Sequence, residues 1–114
     1  MLKAVFHRRS IDFGGQILEP FYGFDISGHA GYGEATSENE GNDIVCAAIS
    51  SCTMLVCNAV TEKFNASAEV KVEENRISLM LNGYNTAATN LIAALYDHLT
   101  TLSENYSNIK VEVE

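Results

Sequence analysis

Apolar and polar positions alternate from the start of the chain, with Leu2, Ala4 and Phe6 interleaved with Lys3, Val5 and His7, the period-two signature of a half-buried strand. Ser10 to Pro20 carries Gly14-Gly15 and the only proline and reads as a connection. Phe21 to Ser27 then sets Tyr22, Phe24 and Ile26 against Gly23, Asp25 and Ser27, which predicts a second strand hairpinned to the first. After Gly28-His29-Ala30-Gly31-Tyr32-Gly33, the small, polar and acidic run from Glu34 to Asn42 has the composition of a mobile loop.

The period changes at Ile44. Neither proline nor glycine occurs up to Phe64, and Asn42 or Asp43 is suited to cap a helix with its short side-chain oxygen. At roughly 100° per residue, Ile44, Val45, Ala48, Ile49, Cys52, Leu55, Val56, Ala59 and Val60 fill one wide arc, the expected core face. Glu69 to Glu73 and Arg76 to Asn82 alternate again as two strands about a turn at Glu74-Asn75. Asn85 to Glu104 repeats Ala88, Leu91, Ile92, Leu95, Leu99 and Leu102 at helical spacing, and Ile109, Val111 and Val113 mark a closing strand. The reading is one α+β domain over residues 1–114, a two-layer sandwich of order β-β-α-β-β-α-β. Two helices cover one face of a mostly antiparallel sheet.

Composition narrows the function classes. A chain of 114 residues, 46 % hydrophobic, builds one core and is too short for two ordinary domains. With 15 acidic against 7 basic residues and a net charge of -8, it lacks the basic footprint of a protein that grips nucleic-acid phosphates, so no direct nucleic-acid binding is expected. No uninterrupted apolar run reaches the roughly 18 residues of a membrane span, and the first residues alternate like a strand rather than forming a signal-peptide core. A cytoplasmic protein is expected, with no membrane association.

Cys46, Cys52 and Cys57 fall in the first helix, where Cys46 and Cys57 lie roughly 16 Å apart along the axis, too far for a disulfide or a shared metal. Cys52 points into the apolar arc and reads as structural. Cys57 shares a small, polar stripe with Cys46, Ser50 and Thr53 but lies deep in the helix, without an activator. Cys46, expected in the first turn after Asp43, is where unpaired amides and the helix dipole favour a thiolate and can donate to an oxyanion. His29, between Gly28 and Gly31 at a strand end, has little local packing and room for a substrate.

An imidazole brought to the helix start is placed to take the thiol proton. Asp43 reads as cap, as orienter of His29, or as both, and Ser50, one turn beyond Cys46, bonds near the site or back to its own helix. His7 and His98 lack such settings. Gly28-x-x-Gly31-x-Gly33 is not followed by Lys-Ser/Thr, so no nucleotide site is read there, and His29, Cys46 and Asp43 lack a fourth metal ligand. No metal or cofactor is expected.

Ile26-Ser27-Gly28-His29-Ala30-Gly31-Tyr32 and Asp43-Ile44-Val45-Cys46-Ala47-Ala48-Ile49-Ser50 together resemble the bacterial ribosomal-processing cysteine protease family. The resemblance implies an α/β two-layer homodimer that removes the N-terminal extension of a large-subunit ribosomal protein. It implies Cys46 as nucleophile and His29 as base, with Gly28, Asp43 and Ser50 on its other motif positions and the loop from Tyr32 to Asn42 as a lid. Ser10 to Pro20 is longer than the family's tight connection, and Ile49 stands where valine is more usual. The rival from another class is a non-catalytic module that binds a ribosomal protein or assembly factor through the same groove.

Overall fold

The computed structural model describes residues 1–28 and 40–114, the side chains of 40–43 excepted. Strands β1 (Leu2–Arg8), β4 (Phe21–Gly28), β5 (Ala68–Glu73), β6 (Arg76–Leu81) and β7 (Ile109–Val113) form one sheet in the order β5-β6-β4-β1-β7. All neighbours are antiparallel except β7, which runs parallel to β1. The expected hairpins form, with Ala4 opposite Ile26 and with Glu73 opposite Arg76 across the Glu74-Asn75 turn.

The stretch read as a connection is itself structured. β2 (Ile11–Phe13) and β3 (Gln16–Leu18) pair as a small separate hairpin, closed by Gly15 N–H donating to Asp12 Oδ1 at 2.9 Å. Phe13 and Ile17 remain exposed, and Phe13 meets Tyr84 edge to face. Three-residue strands show little period-two pattern, so the glycine pair was the only legible part. A register shift at His7/Arg8 lets both Phe21 and Tyr22 be buried, where strict alternation allows only one of them.

Helix α1 (Glu40–Asn58) continues into a single π turn at Ala59–Lys63, where Phe64 N–H donates to Ala59 O at 3.0 Å. Asn65, at φ 50, then ends the helix, and Ala66 N–H returns to Val60 O at 3.0 Å. This is the left-handed termination that glycine or asparagine supplies. Helix α2 (Thr86–Asn105) is capped by Asn85, whose Oδ1 accepts from Ala88 N–H at 2.9 Å. Its Ala88, Ile92, Leu95 and Leu99 are buried as the spacing predicts. Phe6, Phe21 and Tyr96 stack at its contact with the sheet, with ring centroids 5.1–5.9 Å apart.

The core face of α1 differs from expectation. Val45, Ile49, Thr53, Val56, Cys57 and Val60 are buried, whereas Ile44 and Leu55 are 69 % and 68 % exposed. The helix is rotated by roughly 70° from the arc that hydrophobicity alone selects. Thr53 makes this affordable, because its hydroxyl donates to Ile49 O at 2.7 Å and so enters the core already satisfied. Although no uninterrupted apolar run stands out, Ile44–Lys63 is long and apolar enough in composition to cross a membrane; its buried stripe instead packs into the core.

Replacing Asn65 by valine, a β-branched residue that avoids positive φ, is expected to lower stability by about 1–2 kcal/mol. Urea denaturation followed by circular dichroism measures it.

Candidate active site

A cavity of about 380 Å³ opens between α1 and the sheet. From the helix, Cys46, Ser50 and Met54 face it at successive turns, with Ile49 and Thr53 beneath. From the sheet come Leu2 of β1, Ile26 and Gly28 at the end of β4, and the β5–β6 hairpin from Val72 to Ile77. Gly28 and the helix pair Cys46 and Ser50, distant in sequence, thus line one cavity.

Gly28 is held from two sides. Its N–H donates to Asn75 O at 2.9 Å, and at φ 82 a Cβ would run into the carbonyl oxygen of Met1. Only glycine tolerates both the left-handed backbone and that approach. The N-terminus and the β5–β6 turn therefore fix the point at which the chain leaves the sheet towards His29. His29 itself, and the proposed lid up to residue 39, lie outside the described residues. The last residues assigned to that loop, Glu40 to Asn42, belong to α1.

The helix start also differs from expectation. α1 begins at Glu40, so Asn42 and Asp43 lie inside its first turn rather than at its cap, and Cys46 falls in the second turn. The amides without an intrahelical partner are those of the first turn, and the dipole's influence fades within that turn. Activation of Cys46 by the helix end is correspondingly weaker than its expected place in the first turn implies.

The three thiols separate by burial. Cys46 is half-buried on the cavity wall. Cys52, expected to be the deepest, is also half-buried, with its Sγ 3.2 Å from Ile49 O, and burial raises its pKa. Cys57, expected on a polar stripe, is 2 % exposed, and burial pushes its thiol up to about 11. The same rotation of α1 accounts for both corrections. Cys46 is the thiol of the three that lines the cavity.

Neither of the other histidines approaches this site. His7 sits on the far face of the sheet, its Nδ1 3.4 Å from Glu114, and His98 is exposed on α2. Leu2, Met54, Val72 and Asn75 were not singled out from sequence as site residues. For Leu2 and Val72 the strand alternation held a usable signal, since both fall on the helix-covered side of their strands.

A profile of the Prp cysteine proteases matches residues 10–110. The chain belongs to the Prp cysteine protease family. Its fold is similar to that of SMU.848 from Streptococcus mutans, at 26 % identity and a TM-score of 0.73, covering 100 % of this chain and 96 % of that one. It is also similar to the ribosomal processing protease Prp from S. aureus solved with a substrate peptide, at 19 % identity and a TM-score of 0.76, with both chains fully covered. The same S. aureus protease with a covalently linked product peptide gives 18 % identity and a TM-score of 0.73, again over both full chains. No curated protein sequence matches the chain.

Gly28→Ala is expected to lower the melting temperature and to reduce peptidase activity, because the added methyl displaces the N-terminal strand beside the cavity; thermal unfolding and a peptide assay read the two effects. The raised Cys57 pKa carries a sign. The folded state holds that proton more tightly than the unfolded chain, so the stabilisation is intact below about pH 9 and is lost as pH rises towards about 11. Melting temperatures across this window should fall more steeply for the native sequence than for Cys57→Ala.

Proposed function

We propose that the protein is a cysteine endopeptidase that removes the N-terminal extension of a large-subunit ribosomal protein, with Cys46 as nucleophile and His29 as general base. The observation that carries this reading is the shared cavity. It joins the Cys46 helix to Gly28, the residue next to His29, beside a groove of peptide side-chain dimensions. Membership of the Prp family supports the thiol chemistry. The S. aureus relative, described as a ribosomal processing protease and solved with a substrate peptide, supports the substrate class.

In this mechanism His29 takes the Cys46 proton as the sulfur attacks the peptide carbonyl. The tetrahedral intermediate collapses with cleavage of the C–N bond, and the imidazolium returns the proton to the leaving amine. Water, deprotonated by the same imidazole, then hydrolyses the thioester, which releases the carboxylate and regenerates the thiol. Asp43, in the first turn of α1, orients His29, and Ser50 borders the groove one turn beyond the nucleophile. The enzyme acts in the cytoplasm as a homodimer and needs no metal or cofactor.

Incubation with a ribosomal protein that retains its extension, followed by mass spectrometry, tests the reading. Cleavage at one site is expected. Cys46→Ala should reduce it to background and His29→Ala by at least about a hundredfold, with circular dichroism unchanged. Full activity in either variant removes the dyad, and a ribosomal protein that binds but stays intact favours a binding module.

A further inference from the structure

We infer that Asp25 and Arg76, paired on the open face of the sheet behind the cavity, are positioning residues for the peptidase: they fix the end of β4 and, with it, the direction in which the chain departs towards His29. This rests on the peptidase reading and adds to it residues that lie outside the sequence motifs. Arg76 Nε donates to Asp25 Oδ1 at 3.0 Å and Nη2 donates to Oδ2, so the guanidinium fork meets the carboxylate through two parallel bonds. By contrast, Lys3–Glu112 at 3.4 Å and Lys110–Glu112 at 3.1 Å, on the β7 side of the sheet, are contacts of a flexible ammonium. Arg76 also stands opposite Glu73 of β5, which makes it the cation between two acids.

The register shows what the fork ties together. Asp25 is opposite Ser78 and Arg76 is opposite Ser27, so the link runs diagonally across the end of the β4–β6 ladder. One step further on, Gly28 N–H donates to Asn75 O at 2.9 Å, and Gly28, at φ 82, lies against the Met1 carbonyl. Glu73, Glu74, Asn75 and Arg76 are all exposed, so the β5–β6 turn has no buried side chain of its own to anchor it. Strand ends of that kind open locally at small free-energy cost. The fork is the side-chain link that holds this turn against β4, and loosening it frees Gly28 from Asn75 and the next residue from a fixed direction.

The pair acts from behind the site. Side chains alternate along a strand, so Ile26 and Ile77 face the cavity while Asp25 and Ser78 line the hollows of the opposite face. Arg76 borders the cavity at its turn, yet its guanidinium reaches Asp25, which does not line the cavity. The consequence falls on the placement of a catalytic group rather than on substrate contact, and a displacement of about 1 Å is enough to slow a positioned reaction.

The experiment compares Asp25→Asn, Arg76→Gln, the double variant and, as a control on the same face, Lys110→Gln, in cleavage of the extended ribosomal protein. Each single substitution should lower kcat by about threefold to tenfold and leave KM within about twofold. The double variant should be no slower than the slower single one, because the two side chains act as a unit. Arg76→Lys, which keeps the charge and loses the fork, should fall between, and Lys110→Gln should match the native sequence. Amide exchange followed by NMR without substrate should show the Gly28 N–H exchanging faster in both single variants, with Phe24 unchanged. Unaltered kcat in both single variants, losses that multiply in the double variant, an effect on KM alone, or unmoved Gly28 exchange overturns the positioning role while the peptidase stands. No cleavage by the native sequence overturns the peptidase reading and the positioning role with it, and the exchange data still tell whether the fork holds the end of β4.

Discussion

The seating of α1 on the sheet governs everything else in this molecule. Val45, Ile49, Val56 and Val60 seal one stripe of the helix against the core, and the buried Thr53 hydroxyl, bonded to its own backbone, permits the helix to roll until that stripe fits. The roll angle decides which residues look into the cavity. A helix seated on the arc of its most hydrophobic residues would bury Ile44 and Leu55 and turn Cys46 away from the β4 terminus. The observed seating leaves those two side chains in water and faces the sulfur towards the groove. A small polar residue in the core is thus the reason that a nucleophile-type side chain lines a substrate-sized space.

Much of the architecture is legible in the sequence. Long alternations such as Leu2 to His7 and Phe21 to Ser27 admit one structure, because a single-residue slip would carry Phe6 with Leu2 and Ala4, or Phe24 with Ile26, to the solvent face. Helix α2 was equally plain, with its Asn85 cap and a four-layer run from Ala88 to Leu99 that agree with each other. The short hairpin at Ile11–Leu18 was not legible, since three-residue strands hold too few positions for a period to emerge. The π turn was hidden for a different reason, as nothing in Ala59–Lys63 departs from ordinary helical composition.

The site was legible in its chemistry more than in its geometry. Gly28 was marked by its neighbours, and the structure adds the cause, a left-handed backbone pressed against Met1 and held by Asn75. The order of burial among the thiols differs from the one the sequence predicts, because hydrophobic content ranks Cys52 and Cys57 by the company they keep in sequence, whereas the sheet selects by angle. The helix start was misplaced by a plausible cap. Asn42 and Asp43 have the right chemistry for that role, yet the backbone is already helical at Glu40, four residues before the apolar pattern begins at Ile44. Capping residues report where a helix is able to start, and the chain upstream determines whether it starts sooner.

Strand β5 has one further consequence. Among the described residues it forms an outer border of the sheet, with no strand beside one row of its backbone amides and carbonyls. Such a border invites edge-to-edge pairing and aggregation. Here Glu69, Lys71 and Glu73 place a charge at every second position of that strand, and a second molecule laid against it would have to strip water from all three. Those charges keep the exposed border in water and oppose its becoming a seed for fibres.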